Sequence, residues 1–380
     1  MPTEPSNPVA LVYTRYTGGL NGGLIRHEQI LNLVKRAGCE PVVNAGISPR
    51  FHRQILPSFL AAMGIVLGAN FQNKKLLIRA RQGKGFMAQL LVGRYYRAAT
   101  EAIRQRRPRF LVVEDVIFGG QGAIFAGKKL GVPVIAMPHN VDALGGVADR
   151  MRSCVCLSAE MEALSLANKT FAISQSDGWL QQQFGIDSSV LSYYPAPERE
   201  SYLRSIRAAR ENHSPSQRFL IPGNAHNPPT REGLMELLEA IASRTWPDGV
   251  GFDVIGTATE SCRKPIFPSQ IVIHGAVKSE QFMSLVAKCA ACIAYQKKGT
   301  GSLTRVPEML IAGVPVFGNK MALRDWIHTD GVYAFNNFDD LAKLLSGYCK
   351  TPQIPEPTIW QEEQFLSAIH RLCINGCKKS

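Results

Sequence analysis

The chain lacks an apolar run long enough to cross a bilayer. Its longest nearly uncharged stretch, Ile55 to Asn70, is broken by Pro57 and Ser58 and falls short of the ~20 residues a spanning helix needs. The opening residues Met1-Pro-Thr-Glu-Pro-Ser-Asn-Pro lack the basic and apolar regions of a secretory leader. The expectation is a soluble, cytoplasmic protein, resting at most on the inner face of a membrane. Cys289-Ala-Ala-Cys292 has no second Cys-x-x-Cys and no His-x-x-x-His to complete a metal site. The nine cysteines, several of them inside apolar runs, therefore read as buried small hydrophobes in a reducing compartment. No repeat of 20–50 residues and no low-complexity tract is present. Residues 41–100 contain no Asp or Glu at all.

That last absence is one-sided. The same window holds Arg50, Arg53, Lys74, Lys75, Arg79, Arg81, Lys84, Arg94 and Arg97. Over the whole chain, 43 Lys and Arg against 30 Asp and Glu give a net charge of +13, and residues 1–195 carry 22 of the basic and 12 of the acidic side chains. Such a field attracts an anionic partner: a phosphorylated substrate, an anionic membrane face or a nucleic acid. Nucleic acid is disfavoured, because no recognition motif occurs and aromatics do not interleave regularly with the basic residues.

With 380 residues and 45% hydrophobic composition, the chain is long enough for two globular domains. Short β-branched runs alternate with helical spacing along its whole length. Strands are expected over Val9–Tyr13, Phe110–Glu114, Pro133–Pro138, Thr170–Ser174 and Val190–Tyr194, then over Phe219–Pro222, Phe252–Ile255, Ile271–His274, Ala291–Tyr295 and Val314–Phe317. Helical stretches such as Gly122–Leu130, Glu160–Ala167, Glu232–Ile241, Glu280–Lys288 and Leu303–Ile311 separate them. This alternation predicts an α/β fold of two doubly wound domains, 1–195 and 196–350. The polar segment Pro195–Gln217 reads as the linker. A last helix over 358–374 follows Pro352, Pro355 and Pro357 and is placed to pack back on the first domain. Ligands of open α/β sheets sit beyond the carboxyl ends of the strands, so two facing domains would frame a cleft.

Four loops at those strand ends carry candidate residues. Gly18-Gly19-Leu20-Asn21-Gly22-Gly23 precedes a helix near Leu24 and allows close backbone approach to an anion or a sugar, or else a tight turn. It is not the dinucleotide fingerprint, and no acidic residue stands where that cofactor's ribose would need one. His139-Asn140 ends a strand, as a site pair or as ordinary loop residues. Gly223-Asn224 opens the second half, with Thr230 a plausible N-cap and Arg231 in the first helical turn, where a cation opposes the helix dipole unless an anion is bound. The densest segment runs from Gly299 to Val316. In it Thr300, Gly301, Ser302, Leu303 and Thr304 leave backbone amides open, Arg305 suits a diphosphate, and Glu308 can accept the hydroxyls of a ribose.

From Gly301 to Val316 the chain resembles the nucleotide-sugar glycosyltransferases of the GT-B fold, specifically the large retaining family four. The resemblance continues through Gly223…Asn227-Pro228-Pro229, through His274-Gly275-Ala276-Val277-Lys278, and through Pro138-His139-Asn140 and Glu162…Ser174. It covers residues 105–330 well and the first hundred poorly. It implies two Rossmann-like domains, 1–195 binding the acceptor and 196–350 the donor. It also implies transfer of a sugar from a nucleoside diphosphate to a hydroxyl with retention, as in cell-surface glycan or glycolipid synthesis. Arg305 and Arg231 would hold the diphosphate, Glu308 the ribose, and Val277 would sit at the base. His139 would meet the sugar, with Gly19, Asn21, Gly22, Gly23 and Asn140 in the sugar and acceptor loops.

One position departs from the family pattern. Thr300 stands where these enzymes place the first glutamate of a Glu-x7-Glu pair. No Asp-x-Asp occurs, so no metal and no cofactor is expected beyond the nucleotide-sugar co-substrate. The partner expected at 41–100 is an anionic or lipid-linked acceptor. A non-catalytic GT-B binder of nucleotide-sugars or polyanions, and a nucleotide-sugar epimerase, remain the alternatives.

Overall fold

The computed structural model describes residues 7–14, 22–45, 57–58, 60–61, 85–114, 116, 119–145, 150–212, 216–347 and 350–376. The chain divides into two units. One comprises Met1–Thr17, Ile30–Ser192 and Thr358–Ser380, the other Gly18–Gln29 and Tyr193–Pro357.

In the first unit, β1 (Val9–Thr14), β2 (Glu40–Ala45), β3 (Phe110–Val113), β4 (Val134–Ala136), β5 (Lys169–Ala172) and β6 (Ser188–Val190) form one parallel sheet in the order β2-β1-β3-β4-β5-β6. Along the chain these strands alternate with α1 (Gly22–Arg36), α2 (Gly85–Arg106), α3 (Gly119–Leu130), α4 (Arg150–Ser165) and α5 (Gln175–Gln183). The central strands are buried on both faces, so they read as continuous apolar runs such as Phe110-Leu-Val-Val. Strand order reverses between β1 and β3. That is the crevice where ligands of doubly wound sheets bind.

The second unit opens with α6 (Pro197–Glu211), followed by β7 (Arg218–Pro222), α7 (Pro228–Ala242), β8 (Gly251–Ile255), β9 (Ile271–Gly275), α8 (Ser279–Lys288), β10 (Cys292–Ala294), α9 (Arg305–Ile311), β11 (Val316–Asn319), α10 (Lys320–Leu323), β12 (Val332–Phe335) and α11 (Phe338–Leu345). Its sheet runs β12-β11-β10-β7-β8-β9, also parallel, and reverses between β7 and β10. Phe219, Phe252, Trp246 and Phe317 interlock in its core. The last helix, α12 (Ile359–Gly376), belongs to the first unit, where Phe365 packs edge-on against Phe171 with ring centroids 5.2 Å apart.

Pro195–Gln217 is not a linker. Its polar composition masks an amphipathic helix, α6, which buries Leu203, Ile206 and Arg210. The Arg210 guanidinium donates to the carbonyls of Val286 and Ala287 in the last turn of α8, of Cys289 and Ala290 just beyond it, and of Gly313. Arg207 likewise donates to Leu310 and Ile311 at the end of α9. Cations suit helix C-termini because the last carbonyls have no partner within the helix.

Candidate functional site

Both sheet reversals carry chemistry. In the first unit, Thr14 ends β1 and Glu114 follows β3. The Thr14 hydroxyl donates to Glu114 Oε2 at 3.1 Å, and His139 Nε2, in the loop after β4, lies 3.3 Å from the same oxygen. The Glu114 side chain is fully buried and that of His139 nearly so. The His139 loop is fixed from α4, where the buried Glu160 carboxylate accepts from the amides of Asp142 (3.2 Å) and Ala143 (3.0 Å). Burial pushes the Glu160 carboxyl up to about 8 against the pull of those amides. Asn140, beside His139, is half-buried. Gly19 and Asn21 lie outside the described residues.

The second unit builds its site from the β7 and β10 ends. Gly223 follows β7 in close contact with Gly256, at φ +125°, where a Cβ would fall 1.7 Å from the Gly223 carbonyl. Only a glycine fits there. Asn227, not Thr230, is the N-cap of α7, since Pro228 and Pro229 start the helix with φ already suited to it. Asn224 instead accepts the amide of His226. Arg231 is exposed in the first turn of α7, and Val277 is half-buried between β9 and α8. The β9 end is braced by Asp253, which accepts two bonds from Arg218 and lies 2.7 Å from His274 Nε2. Burial alone would raise the Asp253 carboxyl, but Arg218 and His274 outweigh it and hold it below its ordinary range.

The loop after β10 is pinned from α10 and the turn beyond it. Arg324 donates to the carbonyls of Thr300 and Gly301, both at 2.7 Å, and Trp326 donates to Ser302 Oγ. Gly299 and Gly301 supply the positive φ of this turn. Thr304 caps α9 and lies close to Gly22, where a Cβ would come within 3.0 Å of the Thr304 hydroxyl. Leu303 packs partly buried on the core. The Ala-Gly-Val-Pro stop is a Schellman motif: Gly313, at φ +78°, and Val314 bond back to Leu310 and Met309.

Arg305 and Glu308, expected to act side by side, point to different partners. Arg305 reaches across the β7/β10 reversal to donate to the Pro222 carbonyl, and lines a cavity of about 10 Å³ with Gly223 and Thr230. No carboxylate among the described residues pairs with it, and burial lowers its pKa. Glu308 is buried and held by other partners. Arg199 grips it with two bonds, Nε to Oε1 at 2.8 Å and Nη2 to Oε2 at 3.0 Å, while the Tyr193 hydroxyl donates to Oε1 at 3.0 Å. Arg199 also lies over the rings of Tyr202 and Phe282. Burial would lower the Arg199 pKa, yet Glu308 more than compensates and raises it.

No family model matches the chain, and no curated protein matches it significantly. Solved structures do. Sucrose-phosphate synthase from Thermosynechococcus elongatus superimposes with a TM-score of 0.59 at 12% identity, over 98% of this chain and 98% of that one. Anabaena HepE in complex with UDP-glucose gives 0.56 at 13% identity, over 98% and 100%. The fold is GT-B. UDP-GlcNAc 2-epimerase from Methanocaldococcus jannaschii gives 0.53 at 11% identity, over 96% and 99%. At these identities the likeness establishes the fold.

Sequence reasoning missed Glu114, Glu160, Tyr193 and Arg199. Glu114 had a local signal, a carboxylate directly after four buried apolar residues at a strand's carboxyl end. Arg199 had none, because 109 residues separate it from Glu308. Cys289 and Cys292 are buried core thiols, the former pushed up to about 11 by burial. Seven of the nine basic residues of 41–100 lie outside the described residues, which include Arg94 and Arg97. None of the described helices is long and apolar enough to cross a membrane.

Proposed function

We propose that this GT-B protein is a glycosyltransferase that moves a sugar from a nucleoside diphosphate to a hydroxyl acceptor with retention. The observation that carries the reading is Arg305, a cation turned inward beside Gly223 at the β7/β10 reversal with no carboxylate among the described residues to balance it. Such a group is costly unless an anion arrives. A diphosphate at Gly223 meets that need, and Arg231 adds charge at the start of α7. Glu308 takes the ribose, Val277 the base, and the Thr300–Thr304 loop the sugar diphosphate. Thr300, a hydroxyl where the family has a carboxylate, then contributes to the choice of sugar.

In the transfer the acceptor oxygen bonds to C1 of the sugar as the bond from C1 to the diphosphate breaks. The acceptor proton passes to the departing diphosphate. Arg305 stabilises the charge that develops there, so that no divalent ion is required. His139, 3.3 Å from Glu114, is the candidate for the transferred sugar, and Gly22, Gly23 and Asn140 are the candidates for the acceptor. The basic segment 41–100 receives an anionic or lipid-linked acceptor, as in polysaccharide or glycolipid synthesis at a membrane surface. Chelator-resistant release of nucleoside diphosphate that depends on an acceptor hydroxyl tests the reaction. Release without acceptor, or none with any nucleotide-sugar, overturns it. Salt-sensitive binding to anionic vesicles tests the membrane contact.

A second reading, a nucleotide-sugar epimerase, is favoured by the buried Glu114–His139 pair, since a carboxylate and an imidazole suit proton transfer at a sugar carbon. The likeness to the Methanocaldococcus jannaschii enzyme is compatible with it. Interconversion of a nucleotide-sugar with no acceptor present would select it.

A further inference from the structure

The geometry points to Arg199 and Tyr193 as positioning residues that leave Glu308 able to hold only one of the two ribose hydroxyls of a nucleoside diphosphate. This inference rests on the reading of the second unit as a nucleotide site. An ionised carboxylate offers about four acceptor positions, two on each oxygen. Arg199 Nε and the Tyr193 hydroxyl fill both on Oε1, and Arg199 Nη2 takes one on Oε2. One position on Oε2 stays open.

The clamp is rigid. The guanidinium is fixed by its fork on the carboxylate and by the flanking rings of Tyr202 and Phe282, with the Arg199 carbon 5.4 and 5.6 Å from their centroids. Tyr193 is almost wholly buried and cannot swing away. A free glutamate can turn to take a diol with both oxygens. This one cannot. The consequence is selectivity between the two hydroxyls: the one that meets Oε2 contributes strongly to binding, and the other contributes little.

The test uses the full chain and needs no variant for its first arm. Binding of ribonucleoside diphosphates is compared with that of their 2′-deoxy and 3′-deoxy counterparts by calorimetry. One deoxy series should bind about tenfold more weakly and the other within about threefold of the parent. Tyr193→Phe frees a second acceptor position and should narrow the gap between the two series. Arg199→Lys, which cannot form the fork, should narrow it further, with circular dichroism confirming that each variant is folded.

Equal weakening by both deoxy changes in the wild type overturns the inference while leaving the nucleotide site standing. So does a gap unchanged in both folded variants, which would make the clamp purely structural. A wild type that binds no ribonucleoside diphosphate overturns the nucleotide reading itself, and this inference with it.

Discussion

The two units solve the same topological problem and leave different charges behind. Each has six parallel strands that reverse order once, and each gathers its candidate residues at that reversal. In the first unit the buried Glu114 carboxylate accepts from the Thr14 hydroxyl and has His139 Nε2 3.3 Å away. In the second, Arg199 is balanced by Glu308, but among the described residues Arg305 has only the Pro222 carbonyl and no carboxylate. A balanced buried pair preserves geometry. On the proposed reading an unbalanced cation waits for an anion, which assigns the charged ligand to the second unit.

The largest effect should come from breaking balance where it exists. Glu308→Gln leaves Arg199 without its counter-charge and should cost about 3–5 kcal/mol of stability, read by chemical denaturation. It should also weaken nucleotide binding about tenfold, the loss expected for one ribose hydroxyl. Next comes Arg210→Ala, which orphans carbonyls at the end of α8 and should cost roughly 3 kcal/mol without bearing on the ligand. In the first unit, Glu114→Gln alters the surroundings of His139 and should lower turnover about 100-fold, a loss typical of a misplaced substrate contact, while nucleotide affinity stays unchanged. A parallel loss of affinity would show that the division of labour between the units is wrong.

The comparison sharpens further in the pH dependence. Glu160 in the first unit is raised by burial, so the folded state keeps a proton that the unfolded chain has released. Its contribution is fully present below the ordinary glutamate range and is lost as pH rises from there through about 8. Asp253 in the second unit is lowered, so its contribution is present above the ordinary aspartate range and is lost as pH falls below about 4. Amide exchange followed unit by unit should show the first losing protection as pH rises from 5 to 8 and the second losing it in acid. Glu160→Gln and Asp253→Asn should each flatten their own slope.

The sequence makes the buried strands legible because burial on both faces leaves continuous apolar runs, as in Phe110–Val113. It hides β2, where Pro41 interrupts a short strand, and α5, whose glutamines carry little amphipathic signal. α6 is hidden by its arginines, read as solvent-exposed charge although Arg210 is buried against carbonyls and Arg199 is clamped on Glu308. The glycine loops and the Schellman stop are visible locally because backbone geometry selects their residues. Partners that fold together across a hundred positions are not, and so Arg305 and Glu308 were expected to work as neighbours on one helix.

The central claim is that Arg305 is held unbalanced for an anion, and melting of the wild type beside Arg305→Met tests it most directly. Without ligand, the variant should melt at or above the wild-type temperature, because a half-buried cation without a carboxylate partner among the described residues has been replaced by an apolar chain of similar size. With a nucleoside diphosphate at 100 times its dissociation constant, the wild type should gain about 2.7 kcal/mol and the variant almost nothing. A variant that melts lower without ligand, or is stabilised as much as the wild type by the same nucleotide, would contradict the account.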